Sequence, residues 1–195
     1  MHPLVLEVEL KSVVDDLDAR RRRVEGAGGV LRFVGRLEDR RYDTPERALR
    51  LRDHVLRMRV RRSPGDGRPR ATVDWKGPTA QTDGYKVREE LAVGVDDAEA
   101  LATVLTKLGY DVTEAIDRDV WEYEVNGATV RFERYPRMDI LVEVEGVPAA
   151  IESAVAATGL PRDGFTAERL SDFVRRFEER TGSRAALSDA LIIGE

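Results

Sequence analysis

The sequence predicts an α+β fold that is mostly β: a closed antiparallel β-barrel with helices packed around its outside. Three observations predict it. Apolar and charged residues alternate strictly in residues 6–11, and the same alternation returns at least four more times along the chain. Several helical segments carry one apolar stripe each, which must be buried against the apolar faces of the strands. Asn126-Gly127 separates two further segments and is the strongest short signal for a β-hairpin.

Length, charge and composition limit what the chain can be. With 195 residues and no low-complexity linker, we expect a single domain over residues 1–195. A formal net charge of −5 argues against a general nucleic-acid binder, which needs a basic field. The absence of cysteine excludes disulfides, thiolate metal sites and cysteine nucleophiles. Charged residues begin at Glu7 and no apolar run approaches membrane-spanning length, so we expect no signal peptide, no membrane span and a cytoplasmic location.

Four helices are expected around the strands, each beginning at a capping residue or a proline and ending at a glycine. Their expected start and end residues are Asp15 or Asp16 and Gly26, Asp96 and Gly109, Pro148 and Gly159, and Thr166 and Gly182. The tail, residues 187–193, is expected to pair or dock as a short strand. Residues 63–67 are expected to form a hairpin loop between two strands.

The first strand places two carboxylates on one face. Glu7 and Glu9 are two residues apart and therefore point to the same side of a strand, about 6.6 Å from each other. Two carboxylates this close repel each other unless a cation or a basic group lies between them. Taken alone, the pattern also fits an edge strand with a solvated charged face. Residues 140–146 repeat it, with Glu143 and Glu145 on one face.

The charged faces differ in sign along the chain, with acidic faces in the first and last strands and basic faces in the middle. The acidic residues are Glu7, Glu9, Glu133, Glu143 and Glu145, and the basic residues are Lys11, Arg57, Arg59, Lys76, Arg88 and Arg118. In an open sheet these faces would meet water, whereas in a closed barrel they meet in the lumen. We expect the barrel, with the outward neighbours of these residues against helices or the surface. Those neighbours are Val8, Met58, Trp75, Val87, Phe132 and Val144.

A lumen of mixed charge indicates the class of its ligand. Unpaired buried charges cost several kcal/mol each, so the lumen must be filled or internally paired. Carboxylate pairs favour a hard divalent cation, and clustered Arg and Lys favour an anion with several oxygens, most commonly phosphate. A metal-bound polyphosphate satisfies both. The expected partner is therefore a small molecule, with no nucleic acid and no membrane, and formation of a homodimer stays open.

In their order and spacing these residues resemble the CYTH superfamily, the triphosphate tunnel metalloenzymes, which includes class IV adenylate cyclases and thiamine triphosphatases. The resemblance extends from Leu6 to Leu191. Its first motif, Glu-x-Glu-x-Lys, is met by Glu7, Glu9 and Lys11. The later motifs are met, in chain order, by Asp39, Tyr42, Asp43, Thr44 and Pro45, by Leu56, Arg57 and Arg59, by Lys76, Gly77 and Pro78, by Arg88 and Glu90, by Glu133, by Glu143 and Glu145, and by Ser188, Asp189 and Leu191.

The resemblance implies a closed antiparallel barrel of about eight strands whose lumen binds a triphosphate-containing small molecule and one or two Mg²⁺ or Mn²⁺ ions. The implied metal ligands are Glu7, Glu9, Glu133, Glu143 and Glu145. The implied phosphate-binding residues are Lys11, Arg57, Arg59, Lys76, Arg88 and Arg118. Among them, Lys11, Arg59 and Lys76 are the implied catalytic residues. Phosphoryl transfer needs mainly positioning and charge neutralisation, so no nucleophilic side chain is required.

One position departs from the family pattern. The strand that holds Arg118 usually carries a lysine two residues earlier, and Ile116 stands there in this chain. A phosphate contact of the family is therefore missing or supplied by another base. The alternatives are Arg61, Lys86 and Arg131. The departure bears on the substrate more than on the fold.

Three functions remain open on the sequence. The favoured one is hydrolysis of a phosphoanhydride bond in inorganic, thiamine or nucleoside triphosphate. The alternative is a class IV-type adenylate cyclase that makes cyclic AMP and pyrophosphate from ATP, and the third is a non-catalytic polyphosphate- or nucleotide-binding module. The five acids argue against a pure binding module, because carboxylates repel an anionic ligand. His2 and His54, the only histidines, are expected at the surface and not as bases.

Overall fold

The computed structural model describes residues 5–65 and 68–193 of the chain. Within them the strands are β1 Val5–Val13, β2 Val30–Asp43, β3 Val55–Arg62, β4 Arg70–Lys76, β5 Ala80–Thr82, β6 Tyr85–Val95, β7 Asp111–Val125, β8 Ala128–Arg134 and β9 Leu141–Glu145. The helices are α1 Leu17–Gly26, α2 Ala98–Lys107, α3 Pro148–Thr158, α4 Leu170–Thr181 and α5 Ala190–Ile193. His2 and part of the predicted hairpin loop at 63–67 lie outside the described residues. None of the described helices is both long and apolar enough to cross a membrane.

Eight of the strands close into an antiparallel barrel, as predicted. The strand order is β1-β9-β8-β7-β2-β3-β4-β6, and β6 pairs back onto β1. At this closing seam Glu7 lies opposite Arg88, and on the other side of β1 Lys11 lies opposite Glu143. The ninth strand, β5, extends the sheet at the edge of β6. Closure turns the charged faces of the eight strands toward one another.

The apolar faces of the strands point outward and are covered by helices. Phe132 and Val144 are completely buried in a cluster that includes Ile151 of α3. Met58 is buried in a second cluster with Leu105 of α2. The remaining outward residues, which are partly buried, are Val8, Trp75 and Val87. The predicted division into charged inward and apolar outward residues is therefore confirmed.

The hairpin predicted at Asn126-Gly127 joins β7 to β8. Both residues adopt left-handed backbone conformations, with φ of 53° at Asn126 and 79° at Gly127. Asn and Gly tolerate this conformation better than other residues, and a two-residue loop with two positive φ values matches the twist of the paired strands. The turn fixes the register that places Glu122 opposite Arg131.

Helix caps agree with the prediction in one case and differ by one residue in another. Asp16 caps α1, and its carboxylate accepts a hydrogen bond from the amide of Ala19 at 3.0 Å. The cap of α2 is Asp97 and not the predicted Asp96. The Asp97 carboxylate accepts a hydrogen bond from the amide of Ala100, three residues later, at 2.9 Å. This amide lies in the first turn of α2, where backbone N–H groups have no partner within the helix.

The predicted cap of the last long helix is wrong. Helix α4 begins at Leu170, and Thr166 instead exchanges two backbone hydrogen bonds with Lys11 of β1, at 2.9 and 2.8 Å. The start of α4 is stabilised by Asp172, whose carboxylate accepts from the amide of Arg169 at 3.1 Å. By residue type Thr166 is the better cap, but its backbone N–H and C=O groups are hydrogen-bonded to Lys11 of β1.

The tail does not form the predicted strand. The Leu187 carbonyl accepts from the Asp117 amide at 2.7 Å, and the Asp189 amide donates to the Asp117 carboxylate at 3.2 Å. After these contacts the chain turns into α5. The tail therefore docks on β7 through two hydrogen bonds to one residue, without the continuous ladder that a strand requires.

Candidate functional site in the barrel lumen

The barrel encloses a cavity of about 1100 Å³. Every residue that the sequence predicts for the site lines it, namely Glu7, Glu9, Lys11, Arg57, Arg59, Lys76, Arg88, Arg118, Glu133, Glu143 and Glu145. They reach it from seven different strands, because residues two apart on a strand share a face. The structure therefore confirms their common location, while their individual roles stay predictions.

The cavity lining contains more bases than acids, although the protein as a whole is acidic. Among the described residues, thirteen Lys and Arg and ten Asp and Glu line the cavity. The whole chain has a net charge of −5. The excess of bases comes from Arg47, Arg50, Arg52 and Arg169, which line the cavity and are exposed, and such a rim attracts anions toward the lumen.

Three carboxylates form the tightest acidic group. Oxygens of Glu7, Glu143 and Glu145 lie within 4.8 Å of one another. Burial opposes ionisation of Glu143, but the ammonium of Lys11 and the guanidinium of Arg131 outweigh it and hold its pKa well below the usual value. Burial and the charge of Glu143 raise the pKa of Glu145 to about 7. Oxygen ligands of this kind suit a hard divalent cation, so these three residues fit a Mg²⁺ or Mn²⁺ site.

The other two predicted metal ligands lie outside that group and have basic or hydroxyl partners. Glu9 accepts from Lys11 at 2.6 Å and also from Lys86. Glu133 accepts from Arg118 at 2.7 Å and from the hydroxyl of Tyr135 at 2.6 Å. The structure thus places both acids in the lumen but does not bring them into the carboxylate cluster.

Two lysines connect the acidic cluster with the rest of the lumen. Lys76 lies 2.6 Å from Glu7 and 3.1 Å from Glu90. Lys11 lies 2.5 Å from Glu143, and its pKa is raised because this carboxylate and Glu9 outweigh the cost of burial. Both ammonium groups therefore form ion pairs beside the candidate cation site.

Three arginines of the lumen share one carboxylate, that of Asp39. Arg59 donates to both Asp39 oxygens, at 2.7 and 2.8 Å, and Arg118 donates to one of them at 3.0 Å. Arg57 lies 3.5 Å from the same carboxylate and binds Asp74 more closely, at 2.7 Å. Asp39 is only 2% exposed, so these guanidinium groups surround a buried anion. Such a cluster presents several N–H donors to an entering phosphate chain.

Arg88 is held differently, by backbone carbonyl groups. It donates to the carbonyl of Gly77 at 2.7 Å and to the carbonyl of Asp53 at 2.8 Å. The glycine at the end of β4 therefore supplies an acceptor that orients a lumen base. Burial lowers the pKa of Arg88, because its charge has no carboxylate in hydrogen-bonding contact among the described residues.

Of the three bases considered as replacements at position 116, two reach the cavity. Lys86 and Arg131 line it. Arg61 turns away, pairs with Glu122 at 3.1 Å and stacks over the ring of Phe33 at 4.2 Å. Burial and the neighbouring Lys11 lower the pKa of Lys86, so an added anion would stabilise its charged form.

Ile116 itself belongs to an apolar cluster at one end of the lumen. It is 2% exposed and packs with Tyr135, Leu141 and Phe173 of α4. Residues at the start of α4 also line the cavity, so this helix covers part of that end of the barrel. The departure from the family pattern therefore replaces a predicted cation with a dry apolar wall.

Sequence reasoning gave no lumen role to Asp39, which only matched a family motif, or to Tyr135, although both contact predicted site residues. Asp39 lies directly opposite Arg59 in the ladder between β2 and β3. Tyr135 follows the last residue of β8 and lies beyond the alternating pattern. His54, expected at the surface, lines the cavity mouth half-buried, with its ring edge-on to Trp75 at 5.1 Å.

Comparisons with known proteins agree with this architecture. The family model of the CYTH domain matches residues 6–145. A protein from Vibrio parahaemolyticus proposed to be an adenylate cyclase has 18% identity and a TM-score of 0.73, over 89% of this chain and 99% of that one. A protein from Pyrococcus horikoshii OT3 has 22% identity and a TM-score of 0.72, over 87% and 98% of the two chains.

A more distant neighbour carries a described activity. An adenylyl cyclase candidate from Hippeastrum, for which a dominant triphosphatase activity is described, has 13% identity and a TM-score of 0.59, over 94% of this chain and 98% of that one. Identities this low establish a shared fold. The comparison with curated proteins gives no significant match.

Proposed function

This chain belongs to the CYTH family, and from that premise we propose that it is a divalent-metal-dependent enzyme that hydrolyses a phosphoanhydride bond of a triphosphate bound in the lumen. One observation carries the proposal. Three carboxylates lie within 4.8 Å of one another inside a cavity whose lining is otherwise rich in Lys and Arg. A cation site beside a polyanion site is the arrangement that metal-bound triphosphate requires.

Glu7, Glu143 and Glu145 are the proposed ligands of Mg²⁺ or Mn²⁺. A divalent cation held there would neutralise phosphate charge and lower the pKa of bound water. Glu7 and Glu143 are suited to this task because Lys76 and Lys11 keep their pKa values low, so both are ionised at neutral pH. The two lysines can contact phosphate oxygens from the same positions, since each ammonium group carries three donors.

The phosphate chain is proposed to lie along the arginines around Asp39. Arg57 and Arg59 come from one face of β3 and Arg118 from β7 on the other side of β2, so they flank Asp39 on both sides. Each charge-assisted hydrogen bond to phosphate is worth roughly 1.5–3 kcal/mol. Asp39 holds the guanidinium planes in place before substrate arrives, which reduces the ordering cost of binding.

Hydrolysis is favoured over cyclisation because the cavity recognises charge. Most of the described residues that line it are ionisable, and the few apolar ones are divided between the wall formed with Ile116 and α4 and the start of β3. A substrate recognised through its phosphates fits this lining. The triphosphatase activity described for the Hippeastrum protein supports the same choice. A non-catalytic phosphate-binding module is disfavoured, since a pure anion site would not keep three clustered carboxylates.

The test is a substrate panel with separate product assays. The parent protein is incubated with inorganic triphosphate, thiamine triphosphate and ATP, each with Mg²⁺, Mn²⁺ or EDTA. Phosphate, pyrophosphate and cyclic AMP are measured separately. The proposal predicts metal-dependent release of phosphate from at least one substrate. Cyclic AMP and pyrophosphate from ATP, without phosphate, would identify a cyclase, and tight binding of all three without products would identify a binding module.

A further inference from the structure

Glu133 has both carboxylate oxygens occupied by buried donors. It lies on β8 and is 2% exposed. One oxygen accepts from Arg118 Nε at 2.7 Å, and the other accepts from the Tyr135 hydroxyl at 2.6 Å. Tyr135 is 5% exposed, so water cannot easily take the place of this acceptor. Withdrawing Glu133 toward a cation would leave a buried hydroxyl without its partner.

Glu133 differs in two respects from the three acids that form the carboxylate cluster. Glu7, Glu143 and Glu145 bring their oxygens within 4.8 Å of one another, and Glu133 is not in that group. Within the described part of the chain, no side chain donates a hydrogen bond to Glu145, so its carboxylate is available to a cation. Glu133 lacks both properties: both of its oxygens already accept hydrogen bonds, and it is not part of the group whose oxygens lie within 4.8 Å of one another.

Arg118 is held on both sides by acids. Its Nε donates to Glu133, and its Nη1 donates to Asp39 at 3.0 Å. A guanidinium carries five N–H donors, and these two contacts use one each. Arg118 lines the cavity, so its remaining N–H donors are there for a ligand. The plane of its guanidinium is already fixed by the two acids. Such a group binds phosphate with little further loss of side-chain freedom.

Ile116 contributes to the burial of the contact between Glu133 and Tyr135. It precedes Arg118 by two residues on the same strand face and packs against Tyr135 together with Leu141 and Phe173. Hydrogen bonds are electrostatically stronger where water is excluded. Strand β7 thus carries one lumen cation, Arg118, where the family pattern predicts two. Arg118 is held in place by Glu133 and Asp39.

We propose that Glu133, supported by Tyr135, is a positioning residue for Arg118 and not a metal ligand. This inference rests on the proposed function, since it assigns Arg118 to phosphate and the three clustered carboxylates to the metal. It replaces the role that the family resemblance implies for Glu133. Substitution of Glu133 should therefore weaken triphosphate binding more than it weakens metal binding.

The test compares two acids that both line the lumen. Mn²⁺ is titrated calorimetrically into the parent, Glu133→Gln and Glu145→Gln. We expect Glu145→Gln to raise the Mn²⁺ Kd at least about tenfold and Glu133→Gln to change it less than about threefold. Inorganic triphosphate is then titrated into Glu133→Gln and Tyr135→Phe, and we expect its Kd to rise about three- to tenfold in both. Tyr135→Phe keeps the ring in the apolar cluster and serves if Glu133→Gln folds poorly.

A double-mutant cycle shows whether Glu133 acts through Arg118. In an Arg118→Ala background, adding Glu133→Gln should not weaken triphosphate binding further. Additive losses would overturn the inference, as would equal loss of Mn²⁺ affinity in Glu133→Gln and Glu145→Gln, or unchanged triphosphate binding in Tyr135→Phe. A parent protein that binds neither Mn²⁺ nor triphosphate would overturn the proposed function and, with it, this inference.

Discussion

Arg59 and Asp39 face each other across the β2–β3 ladder and form a buried pair in which the guanidinium donates to both carboxylate oxygens, at 2.7 and 2.8 Å. The same carboxylate accepts from Arg118 and lies 3.5 Å from Arg57. Three cations of the lumen therefore share this one anion. Burial disfavours ionisation of Asp39, but the three arginines outweigh it and hold its pKa well below the usual value.

Removing the charge of Asp39 should destabilise the protein. Asp39→Asn leaves three buried guanidinium groups with less compensation, and breaking a buried ion pair costs about 3–5 kcal/mol. Chemical denaturation at pH 7 measures the change. Asp139→Asn is the control, because Asp139 also accepts two hydrogen bonds from one arginine, Arg180, but at the surface. Exposed pairs contribute about 0–1 kcal/mol, so equal losses in the two variants would contradict this account.

Activity should require both a divalent cation and Glu143. EDTA should abolish turnover, and Mg²⁺ or Mn²⁺ should restore it. Glu143→Gln removes one charge at nearly constant shape and should lower kcat by about a hundredfold or more. Glu122→Gln is the control, since Glu122 contacts the same Arg131, at 2.9 Å, from outside the carboxylate cluster. Full activity in EDTA, or equal loss in both variants, would refute the metal assignment.

Metal affinity should depend on the ionisation of Glu145. Its pKa of about 7 is above the usual carboxyl value, so its proton competes with the metal at neutral pH and below. Between pH 6 and pH 8 the ionised fraction rises about tenfold, and the Mn²⁺ Kd should fall by about the same factor. Calorimetric titrations at pH 6, 7 and 8 measure it. A Kd independent of pH in the parent, or the same pH dependence in Glu145→Gln, would exclude Glu145 as the cause.

Lys86 should contribute to triphosphate binding from the wall opposite Ile116. In the barrel order, β6 and β7 lie four strands apart, which places their residues across the lumen from each other. Losing one charge-assisted contact should raise the triphosphate Kd about tenfold in Lys86→Ala. Lys107→Ala, at the exposed end of α2, is the control. An unchanged Kd in Lys86→Ala would mean that Lys86 does not replace the missing lysine.

The sequence predicts the barrel well because each strand has one apolar and one charged face, and period-two alternation reports both. Caps are less certain, because neighbouring residues of the same type compete. Asp97 caps α2 one residue after the predicted Asp96, and Thr166 pairs its backbone with β1 in place of capping α4. Residue type cannot separate the two neighbouring aspartates, and at Thr166 the tertiary contact with β1 decides the outcome.

The site is predicted as a set of residues but not as a set of pairs. Asp39 stands within four consecutive charged residues, 38–41, so alternation cannot indicate which of them face inward. Tyr135 lies just past the end of β8, where the pattern stops. Which acid meets which base depends on the register and on contacts across the lumen. Those are properties of the closed barrel and not of any single strand.

The most direct test of a triphosphate site in the lumen is the melting temperature of the parent and of Arg59→Ala, with and without inorganic triphosphate and Mg²⁺. Ligand that binds only the folded state raises the melting temperature. We expect a clear rise in the parent and a smaller one in Arg59→Ala, whose affinity should fall about ten- to a hundredfold. Without ligand, we expect Arg59→Ala to melt below the parent, because it breaks the buried pair with Asp39, so the comparison is made on the ligand-induced rise of each protein.

The matched control in this measurement is Arg61→Ala, two residues along the same strand, because Arg61 pairs with Glu122 outside the cavity lining. Its ligand-induced rise should equal that of the parent. No rise in the parent, or the same rise in Arg59→Ala as in Arg61→Ala, would contradict the conclusion that this lumen binds triphosphate through the strand that carries Arg59.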